Sequence, residues 1–137
     1  MFCILLIVIS TISASVENHN EAEFYARSIL KSLNHGYEIH DFQFIINLYD
    51  KSYFKNNCSL GNYRDARTLL ENTFKTAEIV VFEFISVKVL PNEYLLVKFN
   101  KTIFGGTTST TNNEMTVEVS EGVPSITKSK DNKCELF

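Results

Sequence analysis

The stretch AEIVVFEFISVKVL, residues 77 to 90, is rich in valine, isoleucine and phenylalanine, which is the composition of a β-strand. Its apolar residues fall on two opposite phases of the alternation: Val80, Phe82 and Phe84 on one, and Ile85, Val87 and Val89 on the other. Because successive side chains of a strand point to opposite faces, the change of phase predicts a bulge around Glu83 to Ile85, or burial of the middle on both faces. A bulge bends a strand, so we expect a curved sheet.

Further strand signals follow this stretch. A turn at Pro91-Asn92 leads into EYLLVKFNKTIF, in which Leu95, Val97, Phe99 and Ile103 alternate with polar residues. We interpret GGTTSTTNN, residues 105 to 113, as a flexible polar connector, and EMTVEVS as a half-buried strand. After a turn at Glu121-Gly122, we expect the remaining residues to form a last short strand or a tail. Because the connections are short, the strands are predicted to form an antiparallel meander.

The region before the strands has the apolar periodicity of helices. The first predicted helix, residues 21 to 34, has one apolar stripe, and Gly36 follows it as a candidate for the residue after the helix end. A second helix is predicted from about His40 to Lys51, and a third begins after Asn62 as its N-cap. The order of elements predicts an α+β fold with three N-terminal helices packed on a curved antiparallel sheet.

The first residues, MFCILLIVISTISAS, contain a short apolar run followed by small polar residues. The run is much shorter than the roughly 20 residues that span a bilayer, and the pattern is typical of a cleaved secretory signal. We therefore predict a signal peptide at residues 1–15, a single domain at residues 16–137, and a secreted protein with no membrane association after cleavage. The alternatives are a buried N-terminal strand or helix, and a signal anchor, which the lack of a basic flank disfavours.

The cysteines and glycosylation sequons fit the same compartment. Cys3 would leave with the signal, so the mature chain keeps Cys58 and Cys134, which we expect to form a disulfide. Two free thiols or an intermolecular bridge are the alternatives. The triplets that begin at Asn57 and Asn100 are N-glycosylation sequons, and Asn100 is the better acceptor because the alternation of its strand places it on the solvent side.

Composition and motifs disfavour several classes of function. The net charge is −3 and the 13 basic residues are dispersed, so no nucleic-acid partner is expected. His19, His35 and His40 have no metal-ligand spacing with other ligating residues, so no metal is expected. Gly105-Gly106 opens no helix and therefore does not resemble a phosphate loop, and no cofactor motif is present.

Residues 47 to 74, NLYDKSYFKNNCSLGNYRDARTLLENTF, resemble a stretch shared by nuclear transport factor 2-like domains, in particular small secreted ones. In this comparison Leu48-Tyr49-Asp50 is the end of a helix, Tyr53-Phe54 a short strand, and Gly61 part of the loop before the next helix. The resemblance implies a cone in which helices and a curved sheet enclose a pocket. Enzymes of this class use a tyrosine with carboxylates, or an Asp–His pair, inside the cone.

These observations favour a secreted binding module for a small apolar ligand, without catalysis. The alternative is an isomerase- or dehydratase-like enzyme in which Glu83, or Asp50, works with a tyrosine; Glu83 is the main candidate because burial in an apolar cone would raise its pKa. Tyr25, Tyr53 and His40 also lie near suitable elements. A third hypothesis is a homodimer formed through the outer sheet face, with Ile85 and Val87 as its exposed apolar residues.

Overall fold

The computed structural model describes residues 19–56, 63–76, 79–130 and 136–137, without the side chains of residues 55, 56 and 63–65. Its helices are α1 (His19–Glu38), α2 (Phe42–Ile46), α3 (Lys51–Asn56) and α4 (Tyr63–Thr76). Its strands are β1 (Ile79–Val89), β2 (Tyr94–Phe104), β3 (Thr108–Ser120) and β4 (Val123–Ser129). The helices pack against one face of the sheet, here called the inner face, so the predicted α+β class is confirmed.

The four strands form an antiparallel sheet in the order β1-β2-β3-β4, the predicted meander. The register between β1 and β2 shifts between Phe84 and Ser86, so Ile85 is the extra residue of a β-bulge, as predicted. The bulge returns Val87 to the inner face, where it is 8 % exposed, whereas Ile85 is 47 % exposed. The prediction that Val87 faces outward with Ile85 is therefore wrong, because the extra residue reverses the alternation.

The predicted connector at residues 105 to 113 is mostly strand. β3 begins at Thr108 and pairs with β2 along its whole length, from Phe104 opposite Thr108 to Tyr94 opposite Glu118. A hydrogen bond of 3.0 Å joins the hydroxyl groups of Thr102 and Thr110 across the two strands. Threonine is a good strand former. The first residues of β3 have no apolar alternation, and they form a strand because their backbone pairs with β2.

The second helix, predicted from about His40 to Lys51, is shorter in the structure: α2 ends at Ile46, and a separate short helix, α3, begins at Lys51. Between them the chain runs beside β4, where the N–H of Asp50 donates to the Ile126 carbonyl and the N–H of Ile126 donates to the Leu48 carbonyl, both at 2.8 Å. The Asp50 carboxylate then accepts from the backbone N–H of Ser52 at 3.1 Å and from its hydroxyl, which caps α3. The predicted strand at Tyr53-Phe54 is therefore wrong: both residues lie in α3.

Helix α1 crosses the inner face of β1 and is fastened to it by one side chain. The Asn34 amide nitrogen donates to the Phe82 carbonyl at 2.9 Å, and the Phe82 N–H donates to the Asn34 amide oxygen at 2.7 Å. The helix continues through the buried Gly36 to Glu38, so Gly36 does not follow the helix end as predicted. The pair of hydrogen bonds fixes the helix relative to the strand.

The signal peptide predicted at residues 1–15, the disulfide between Cys58 and Cys134, and the sequon at Asn57 all lie outside the described residues. Within the part of the chain that the structure describes, no helix has the length and apolar character needed to span a bilayer.

Candidate functional site

A cavity of about 510 Å³ lies between α4 and the inner face of β2 and β3. Its wall comes from α4, from the two central strands, and from the last two residues of the chain: Leu69, Leu70, Thr73, Lys101, Ile103, Thr111, Asn113, Leu136 and Phe137. We call this cavity the interior pocket.

Lys101 is the cationic side chain in the wall of this pocket. It is half-buried, and its Nζ lies 5.8 Å from the ring centres of both Tyr37 and Phe82. Its two neighbours on the inner face of β2, Phe99 and Ile103, are apolar. Lys101 therefore places a positive charge beside aromatic rings, in a wall that contains both apolar and polar residues.

The neighbouring strand adds polar groups beside this lysine. Lys101 is paired with Thr111 on β3, and the Thr111 hydroxyl donates to the Lys101 carbonyl at 3.5 Å. The Asn113 amide nitrogen donates to the Thr111 carbonyl at 3.1 Å and to the Thr111 hydroxyl at 3.0 Å. These contacts fix the orientation of the Asn113 side chain in the pocket wall.

Phe137 is a buried aromatic residue in the wall of the pocket. It is 3 % exposed, and its ring lies edge-on to Phe99 with centres 5.1 Å apart. Two tyrosines hold its backbone: the Tyr37 hydroxyl donates to the main-chain carboxyl oxygen of Phe137, and the Phe137 N–H donates to the Tyr49 hydroxyl oxygen at 2.8 Å. Because buried polar groups are costly without partners, each phenol satisfies a backbone group that would otherwise be unpaired.

Burial changes the acidity of both tyrosines. Burial raises the pKa of Tyr37 well above its usual value. Burial also raises the pKa of Tyr49, and nearby Tyr37 and Tyr53 raise it further. The hydrogen bond from the Phe137 backbone lowers this pKa, but its effect is smaller. Both phenols are therefore protonated at neutral pH, and neither can act as a phenolate base there.

These pKa shifts predict a loss of stability in alkali. Because the folded-state pKa exceeds the unfolded-state value of about 10, the stabilisation is complete below that pH and is lost as the pH rises toward the folded-state pKa. Tyr37 alone is expected to lower the free energy of unfolding by about 1.4 kcal/mol between pH 9 and 11. Urea denaturation at several pH values measures this slope, and Tyr37→Phe should reduce it. An unchanged slope in that variant would contradict the assignment.

Glu83, the main catalytic candidate from the sequence, does not line the interior pocket. It is exposed on the outer face, opposite Asn100 of β2. The other acidic candidate, Asp50, caps α3, and the described residues that line the pocket include no carboxylate side chain. The burial that would make Glu83 an acid or base is absent.

The remaining candidates from the sequence are His40, Tyr53 and Tyr25. The ring of His40 stacks on that of Phe74, with centres 4.4 Å apart, and the residue is exposed. Tyr53 is buried with its ring 4.9 Å from that of Tyr49, whereas Tyr25 contacts Phe24 near the start of α1. None of these three residues is among the described residues that line the interior pocket. No group of three or more potential metal ligands occurs among the described residues.

Asn100 lies on the outer face, as its alternation predicts, but it is half-buried and its Oδ1 is buried without a hydrogen-bond partner. The third residue of its sequon, Thr102, is also buried. Glycosylation at Asn100 stays a prediction.

A second cavity, of about 430 Å³, opens beside β4 and includes Asp50, Tyr94, Glu118 and Lys128. Tyr94 of β2 and Glu118 of β3 are paired, and both lie on the outer face of the sheet. The interior pocket is the larger of the two, and it has the helix and the sheet as opposite walls. We therefore take the interior pocket as the candidate site.

No protein-family profile matches the sequence, and no curated protein matches it. Among solved structures, the chain is similar to a designed NTF2-like protein, Rd1NTF2_05, with a TM-score of 0.56 and 20 % identity over 74 % of this chain and 90 % of that one. It is also similar to RPA3114, a SEC-C motif containing protein from Rhodopseudomonas palustris, with a TM-score of 0.56 and 13 % identity over 74 % and 73 % of the two chains. The intermembrane space region of the chloroplast protein ARC6 matches with a TM-score of 0.50 and 12 % identity over 84 % and 96 %. At these identities the likeness shows the fold alone, an NTF2-like arrangement of helices on a curved sheet.

Proposed function

We propose that this protein is a binding module whose interior pocket takes a small apolar ligand. The observation that carries the proposal is the cavity of about 510 Å³ between α4 and the sheet. Its volume lies within the roughly 300–1,000 Å³ range of small-molecule sites, which are mostly apolar with a few polar groups that orient the ligand. Leu70, Ile103 and Leu136 supply apolar wall, while Thr111 and Asn113 supply polar groups.

An enzyme of the isomerase or dehydratase type is the alternative. Such chemistry needs a group that can accept or donate a proton beside the substrate. The side chains that line the pocket in the described part of the chain offer no carboxylate, and Tyr37 and Tyr49 are held protonated against Phe137. The described part of the pocket wall therefore lacks the carboxylate side chain that this alternative requires. The leader pattern at residues 1–15 supports a secreted module, with Cys58 and Cys134 as its proposed disulfide.

Binding of N-phenyl-1-naphthylamine, an uncharged aromatic probe whose fluorescence rises in apolar surroundings, tests the proposal. We expect saturable binding by the protein. Replacing Ile103 with tryptophan should fill the pocket and weaken binding by about tenfold or more, because overpacking removes the space that the probe needs.

The matched control is Phe104→Trp. Phe104 is the next residue of β2, but it lies on the outer face and is 41 % exposed. This variant should bind the probe as the unmodified protein does. Absence of saturable binding, or equal weakening in both variants, would refute the interior pocket as the site.

A further inference from the structure

We infer that the second cavity, beside β4, is a binding site for a zwitterionic amino acid with an apolar side chain. The inference goes beyond the proposed function, because it concerns a different cavity and a different class of ligand. It comes from Glu118 and Lys128, two side chains of opposite charge that line this cavity without pairing with each other.

A β-bulge places Lys128 on the same face of the sheet as Glu118. The register shifts so that Ile126 and Lys128 of β4 lie opposite consecutive residues of β3, which leaves Thr127 as an extra residue. The Thr127 hydroxyl donates to the Thr116 carbonyl at 3.1 Å and holds the bulge. Without the extra residue, Lys128 would share the inner face with Ile126. Bulges often redirect a side chain in this way beside a functional site.

The two charges have no partner within the part of the chain that the structure describes. Glu118 is half-buried, and Lys128 is exposed on the neighbouring strand. The ion pairs found among the described residues join other side chains, and neither the Glu118 carboxylate nor the Lys128 ammonium is hydrogen-bonded to a described residue. A ligand with an ammonium and a carboxylate of its own would form a charge-assisted hydrogen bond with each.

The cavity offers further acceptors for the amino group of such a ligand. The Asp50 Oδ2 atom accepts from the backbone N–H and the hydroxyl of Ser52, whereas its Oδ1 atom has no partner among the described residues. Tyr94, which is paired with Glu118 across β2 and β3, adds a phenol oxygen. Because an ammonium group donates three hydrogen bonds, it suits a wall with several acceptors.

An apolar wall lies at the connection between β1 and β2. Leu90 and Pro91 line the cavity there, next to Tyr94. The Leu90 N–H donates to the Tyr94 carbonyl at 2.7 Å, which closes the connection. The cavity of about 430 Å³ lies within the roughly 300–1,000 Å³ range of small-molecule sites. The apolar side chain of the ligand would contact this wall while its charged groups meet Glu118 and Lys128.

An NMR titration of isotope-labelled protein with three matched compounds tests the inference: phenylalanine, N-acetylphenylalanine and phenylalaninamide. The second compound lacks the charged amino group, and the third lacks the carboxylate. We expect phenylalanine to cause saturable shifts of backbone signals at residues 116–118 and 125–128. Its affinity should be at least about tenfold higher than that of either analogue, because each analogue loses one charge-assisted hydrogen bond. The comparison uses the unmodified protein.

Variants then assign each preference to one side chain. Glu118→Gln should remove the advantage of phenylalanine over N-acetylphenylalanine, and Lys128→Met should remove its advantage over phenylalaninamide. The matched controls are Glu114→Gln and Lys98→Met, because both residues lie on the outer face but are not among the described residues that line this cavity. The controls should leave both preferences unchanged.

Three results of the first titrations overturn the inference: no saturable binding of phenylalanine, equal affinity for the three compounds, or shifts confined to the wall of the interior pocket. Preferences that persist in both Glu118→Gln and Lys128→Met overturn it as well. The binding of N-phenyl-1-naphthylamine is measured independently, so failure of this inference is distinguishable from failure of the proposed function.

Discussion

Replacement of Phe137 by alanine is expected to lower the free energy of unfolding by about 3–5 kcal/mol, as for other buried phenylalanines. The ring is 3 % exposed and packs against Phe99 and Tyr49, with ring centres 5.1 Å and 6.4 Å away. Its loss would remove this buried apolar surface and leave a cavity beside Phe99 and Tyr49. Urea denaturation followed by circular dichroism measures the change.

Two further variants separate packing from backbone anchoring. Phe137→Leu keeps much of the apolar volume and should lose less than the alanine variant. Removal of residues 136 and 137 should cost at least as much as Phe137→Ala, because it also removes the backbone partners of Tyr37 and Tyr49. A loss below about 1 kcal/mol for Phe137→Ala would show that the residue is not part of the core.

Replacement of Gly36 by alanine is expected to destabilise the protein by about 1–3 kcal/mol, the range for overpacked cores. Within a helix this substitution normally stabilises by roughly 1 kcal/mol, so the predicted sign is opposite to the intrinsic helix propensity. A Cβ at this position would lie 2.5 Å from Cγ1 of Ile45 and 3.0 Å from Cδ1 of Phe44. Ile45 is fully buried and cannot move away without disturbing its neighbours.

Gly106→Ala is the control for this prediction. A Cβ there would meet no atom within 4 Å, and the residue has no positive φ, so the change should be close to neutral. Thermal or urea unfolding of both variants provides the comparison. If Gly36→Ala raised stability, the close approach of α2 to α1 would not exist in the protein.

The fold class was predictable because the signals for it are local. The phase change in β1 identified the bulge at Ile85, and the alternation in β2 identified the inner face. The start of β3 was not predictable in this way, since its threonines and asparagines show no apolar alternation. These residues form a strand because they pair with β2, and no local pattern in the sequence predicts that pairing.

The site was less predictable than the fold. Lys101 could have been found, because it is the polar residue on a phase otherwise occupied by Leu95, Val97, Phe99 and Ile103. The contact of Tyr37 with Phe137 could not, since the two residues are 100 positions apart and neither belongs to a motif. Such contacts depend on where the last residues of the chain pack. The apolar periodicity of the helices and strands does not predict that position.

Each edge strand of the sheet, β1 and β4, is hydrogen-bonded at one residue to another part of the same chain. Asn34 takes the outward N–H and carbonyl of Phe82 on β1, and the segment from Leu48 to Asp50 takes those of Ile126 on β4. An incoming strand from a second molecule would have to displace these contacts before it could extend the sheet. Pairing with a strand of a second molecule is thus disfavoured at these two points of the sheet edges.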